Sequence, residues 1–176
     1  MADAATTTDP TEAMIASLSK PEATWAAPAR EDALARLRAM GLPQRRDEYW
    51  KYTRPDTLTQ TVAPEAKLLA TDEVPMFDGA DRLKIVFVDG VYDADASDDL
   101  SLEGVTIERL ATADSDLHWA KNLYGVLEAR GQTPVARPLA ALNTAFANDG
   151  VLIHVTGKPS KPIKLIYHHK SETSDA

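Results

Sequence analysis

The sequence contains no cysteine. That removes disulfide scaffolds, thiolate metal sites, cysteine-ligated iron–sulfur clusters and thiol catalysis within this chain. Aromatic residues are scarce, with 3 Trp, 5 Tyr and 3 Phe. No apolar run approaches the ~18 residues that a membrane helix needs. The N-terminal stretch MADAATTTDPTEAMIASL carries acids where a secretory signal requires a positive region, and it lacks a long apolar core. GxGxxG, GxSxG and HExxH patterns are missing. Gly157-Lys158-Pro159-Ser160 fails as a phosphate loop, because Gly150 lies too far upstream and Pro159 replaces the magnesium-binding hydroxyl. The expectation is a soluble, cytoplasmic protein without a nucleotide or acyl-transfer site.

What is present suits a globular chain. The 176 residues are 44% hydrophobic and 26% charged, enough for one good domain or a small domain plus part of another. The formal charge of −8 argues against nonspecific nucleic-acid binding, which depends on neutralising phosphates. Charge is unevenly spread: Asp89 to Asp116 is strongly acidic, whereas Asp149 to Lys170 holds four Lys and one acid.

Periodicity and punctuation outline the elements. Residues 1–12 read as a mobile tail, followed by a short helix at Glu12–Leu18 with Thr11 as N-cap and Pro21 closing it. Ala27–Met40 reads as a helix with Leu34, Leu37 and Met40 inward, Pro28 near its start and Gly41 after its end. Residues 54–80 are broken by prolines and read as loop, with a helical turn at Glu65–Leu69. Leu83–Val88 is a buried strand, Asp89-Gly90 a turn, Val91-Tyr92 the start of a return strand, and Gly104–Leu110 a further strand. Ser115–Arg130 and Pro138–Asn148 read as helices. The first has Leu117, Ala120, Leu123, Tyr124 and Leu127 on one stripe; the second has Leu139, Leu142, Ala145 and Phe146 inward. Strands Val151–Val155 and Ile163–His169 close the chain. An unpaired edge on these last strands is a liability. It suggests the N-terminal portion of a longer β-protein; the alternative is one complete sheet with the two earlier strands.

Three stretches are candidates for chemistry. Asp93, Asp95, Ser97, Asp98 and Asp99 imitate the start of a calcium loop, but Asp98 stands where Gly is needed and Gly104 where Glu is needed. They read as a solvated acidic loop. His168 and His169 are adjacent on a strand and point to opposite faces, while His154 shares a face with one of them only if their strands pair. The densest stretch is 41–53, GLPQRRDEYWKYT, with Arg45, Arg46, Asp47, Glu48, Tyr49, Trp50, Lys51 and Tyr52 in succession. As an enzyme site it fails, because Asp47 and Glu48 would diverge by about 100° on a helix instead of facing one another. The structural reading is a helix stop, a chain reversal and a new helical N-terminus. Trp50 would be a buried anchor with Tyr49 and Tyr52 packed beside it, and Arg45 or Arg46 would meet a carboxylate or a ring. A partner-binding surface is the second reading.

GLPQRRDEYWKYT also resembles the N-terminal hallmark of the SufD branch of the SufB/SufD family of iron–sulfur cluster assembly proteins. EDALARLRAM at 31–40, IVFVDGVYD at 85–93, PLAALNTAFANDGVLIHV at 138–155 and KPIKLIYH at 161–168 are similar to the family in order and spacing, so the resemblance spans about residues 30 to 170. It implies an α+β chain in which an N-terminal helical region leads into the first coils of a right-handed parallel β-helix. The corresponding divisions are a tail and short helix over 1–30, a helical and loop region over 31–80, and mixed strands and helices entering a truncated β-helix over 81–176. It also implies a non-catalytic scaffold subunit of the SUF system, with SufB-like and SufC-like partners. No catalytic residue or metal ligand is carried over, and a cluster would be present only transiently in the full complex. The competing expectations are a small metal-binding protein or metal-dependent enzyme using His154, His168 and the acidic 93–99 loop, and a generic interaction domain.

Overall fold

The computed structural model describes residues 9–62, 64–65, 67–68, 76–113, 118–133 and 135–172. Most of the expected tail lies outside the described residues, as does part of the turn expected at Glu65–Leu69. The chain divides into two compact units, between which it passes three times. The first comprises Met1–Ala63 and Asp114–Asn148, the second Pro64–Ala113 and Asp149–Ala176. The class is α+β, with helices in the first unit and two small sheets in the second. Among the described residues no helix is long and apolar enough to cross a membrane.

In the helical unit, α1 (Pro10–Ser17) starts inside the expected tail. Its cap is Asp9, whose carboxylate accepts the Thr11 N–H at 2.7 Å. Thr11, expected as the cap, is buried instead, and its hydroxyl accepts the Leu42 N–H at 3.2 Å, tying the start of α1 to the end of α2 (Ala27–Met40). Gly41 ends α2 as expected, with φ 72° and its N–H on the Leu37 carbonyl. The buried face of α2 is Arg30, Ala33 and Leu37, rotated from the expected Leu34/Leu37/Met40 stripe. The helix turns Ala33 and Leu37 inward because α5 (Pro138–Phe146) lies along α2, and α5 presents Pro138, Ala141, Thr144 and Ala145. Small side chains at Ala33 and Ala141, both fully buried, allow that approach and leave Leu139, Leu142 and Phe146 only half-buried.

The helix expected over Ser115–Arg130 is broken. Residues 114–117 lie outside the described residues. Beyond them the chain forms α3 (His118–Lys121) and α4 (Val126–Arg130), separated at Gly125 with φ 75°. A Cβ on Gly125 would come within 3.1 Å of the Thr144 side chain on α5. Leu123 and Leu127 are therefore turned outward, at 63% and 80% exposure, and only Ala120 of the expected stripe is fully buried among the described residues.

In the sheet unit, β1 (Leu83–Val88) and β2 (Val91–Asp93) form an antiparallel hairpin through Asp89-Gly90. Both turn residues have positive φ, 47° and 79°, as a two-residue type I′ turn requires. On its other side β1 pairs in parallel with β5 (Ile163–His168), in register from Leu83↔Ile163 to Val88↔His168. β3 (Val105–Arg109) and β4 (Val151–Val155) form a separate antiparallel pair. The last two strands each find one partner, in two sheets and not the single complete sheet of the alternative, and among the described residues each keeps its outer edge unpaired, as expected. Leu83, Ile85, Phe87 and Leu102 form the core, with Tyr92, Val105, Ile107, Val151 and Ile163 packed against it. β1 is apolar at all but Lys84 because it is buried on both faces.

Candidate functional site

The 41–53 stretch is held by short local bonds. The Gln44 N–H donates to the Asp47 carboxylate at 2.8 Å, and the Asp47 N–H donates back to the Gln44 carbonyl at 3.0 Å. Trp50, Lys51 and Thr53 then donate three residues back, so Glu48–Trp50 is a single 3-10 turn and not the start of a new α-helix. Pro43 and Pro55 are buried at either end. Everything between them is exposed except Trp50, which is half-buried.

The aromatic anchor expected at Trp50 is therefore not formed. Its ring meets Tyr49 edge-on, at 6.0 Å between centroids. Tyr49 is 61% and Tyr52 92% exposed. Lys51 lies 5.4 Å from the Tyr52 ring. Arg45 and Arg46 make neither the expected ion pair nor a ring contact among the described residues. A 3-10 turn of three residues offers no broad face to bury, so the rings stay at the surface. The result is a display of cations and aromatic rings on a short, locally bonded turn. A cleft of about 480 Å³ lined by residues 9–11, 41–44 and 59 opens beside it.

The buried tryptophan is Trp25, which carried no signal of spacing or motif. It is 5% exposed and meets Tyr124 edge-on at 5.4 Å. The Tyr124 hydroxyl donates to the Thr144 carbonyl at 2.7 Å, and burial raises its pKa, with Arg30 pulling the other way. The Arg30 guanidinium lies 5.6 Å from the Tyr124 ring centre; burial lowers its pKa, opposed by Tyr124. Arg30 was legible in principle, since it stands three before Ala33 and seven before Leu37, a cation inside the apolar stripe.

The other candidates do not assemble into one site among the described residues. Ser97 and Asp98 of the acidic loop close the edge of β1: the Val86 N–H donates to the Ser97 hydroxyl, and the Lys84 N–H donates to the Asp98 carboxylate. The Asp93 carboxylate accepts the Ala96 N–H. His154 lies on β4 and His168 on β5, in different sheets, so the shared face considered for them does not form. No group of three or more His, Asp or Glu could hold a metal among the described residues. Gly157, in the stretch resembling a phosphate loop, instead donates its N–H to the Gly104 carbonyl.

A family model described as the SufBD protein N-terminal region matches residues 10–165, and the chain belongs to this family, whose proteins take part in SUF iron–sulfur cluster assembly. No curated protein matches the chain.

Proposed function

We propose that the chain is the N-terminal region of a SufD-like, non-catalytic scaffold subunit of the cytoplasmic SUF assembly, and that residues 45–52 are a docking surface for a protein partner. The carrying observation is the display of Tyr49, Tyr52, Arg45, Arg46 and Lys51 between two buried prolines. Exposed aromatic and arginine side chains are the residue types that dominate binding energy at protein interfaces. The SufD assignment rests on the resemblance of GLPQRRDEYWKYT to that branch. The β-helix reading is supported by the in-register parallel pairing of β1 with β5, and by Phe87 stacked on Tyr167 at 5.3 Å. Successive coils of a solenoid stack in this way. The partners are SufB-like and SufC-like subunits, and the iron–sulfur cluster is cargo of the full complex, with no resident cofactor assigned to this region.

Co-purification of the complete gene product with SufB-like and SufC-like subunits tests the scaffold role. Failure to retain either under mild conditions overturns it. For docking, a Tyr49→Ala/Tyr52→Ala variant is expected to fold normally and lose a partner. A variant that retains every partner removes the docking part and leaves the scaffold part standing.

A further inference from the structure

Arg30 makes a second site. It sits in the first turn of α2, is 7% exposed, and among the described residues none of its three guanidinium nitrogens has a hydrogen-bond partner. Arginine stays charged at every physiological pH. A charge closed off from solvent with only an aromatic face for company is costly, because the attraction of a ring does not replace hydration or a counter-ion. A groove of about 390 Å³ runs between α1, α2 and α5, and Arg30 lines it. This volume falls in the range of small-molecule pockets.

The groove's other walls narrow the ligand class. Ile15 and Leu18 from α1 and its exit, Leu34 from α2 and Phe146 from α5 supply apolar surface. Of the remaining cations, Arg38 is already held by the Glu12 carboxylate, at 2.8 and 3.3 Å, and Lys20 lies at the exposed rim. Glu31, also on the rim, disfavours a second negative charge. One uncommitted guanidinium and one opposing acid suit a monoanion, and the planar guanidinium fork matches a carboxylate.

We propose that this groove binds a small carboxylic acid with an apolar body, its carboxylate taken by Arg30 and its body laid along Ile15, Leu18, Leu34 and Phe146. The guanidinium nitrogens lie below the surface, so binding turns the flexible Arg30 side chain away from Tyr124 and towards the groove. The ligand thereby supplies the acceptor that the buried charge lacks.

Calorimetric titration of the intact chain with sodium octanoate tests this, with octanol and inorganic phosphate as comparisons. Octanoate is expected to bind saturably at one site, and about tenfold or more tighter than either octanol or phosphate. Arg30→Met should abolish that preference while raising the midpoint of thermal unfolding, since it removes an uncompensated buried charge. Arg30→Lys keeps the charge without the fork and is expected to retain only part of the preference. Equal binding of octanol, tighter binding of phosphate, or no saturable heat overturns the proposal. So does full octanoate affinity in Arg30→Met or, if that variant does not fold, in Arg30→Lys.

Discussion

Asp89 holds Lys170. The Asp89 carboxylate, at the tip of the β1–β2 turn, accepts the Lys170 N–H at 2.8 Å and the Ser171 N–H at 3.1 Å. The Asp89 N–H donates in turn to the His168 carbonyl at 2.8 Å. A turn residue thus fastens the chain just after β5, about 80 residues further on.

Those two amides, Lys170 first, hold the Asp89 carboxyl below its ordinary pKa, with desolvation opposing. A depressed folded-state pKa stabilises fully above the ordinary carboxylate range, and the contribution is lost as the pH falls through the lowered value. Protection of the Lys170 and Ser171 amides against hydrogen exchange should therefore persist through the ordinary carboxylate range, about pH 4, and weaken only as the pH falls below it. In Asp89→Ala it should be weak at all pH values. Protection that already weakens above about pH 4, or that survives in Asp89→Ala, would contradict this assignment.

The two tryptophans should respond differently to truncation. Trp25→Ala removes a fully buried ring and is expected to cost about 3–5 kcal/mol. Trp50→Ala, in the exposed turn, should cost well under half of that, about 1 kcal/mol. Urea unfolding of both variants makes the comparison, and a larger loss at Trp50 would restore the buried-anchor reading.

Gly125→Ala combines a left-handed backbone with a tight approach to Thr144. It is expected to destabilise by about 1–3 kcal/mol. Thermal unfolding measures it, and Gly79→Ala is the natural control, because a Cβ there meets nothing within 4 Å among the described residues.

Asp149 pairs with Arg109, whose guanidinium also lies 4.5 Å from the Tyr92 ring, and it accepts the N–H groups of Ala111 and Gly150. Asp149→Ala leaves a partly buried cation and two backbone donors short of an acceptor. A loss of about 1–3 kcal/mol is expected in denaturant unfolding, discounted because Arg109 is partly hydrated. A neutral Asp149→Ala variant would mean that water replaces the carboxylate without penalty.

All five strands, and the helices α2 and α5, are legible in the sequence because their signals are local. An apolar run bounded by Asp-Gly needs no distant partner to be recognised, and neither does a helix stopped by Gly41. The family is legible for a related reason: its signature is a string of residue identities, whatever those residues come to touch. Which face each element buries was decided elsewhere. Ala33 and Ala141 displace Leu34, Leu139 and Leu142 from the inner positions because close helix packing selects small side chains. Gly125 breaks a regular helical stripe because its backbone must pass Thr144. Pairing is likewise non-local, so β5 joining β1 and β4 joining β3 could not be read from either strand alone. The same limit governs the two candidate sites. The density of charge and rings at 45–52 is visible in the sequence, but its exposure is not. Arg30 is visible in the sequence as a cation inside an apolar stripe, but that tertiary packing buries it with no acceptor among the described residues is not.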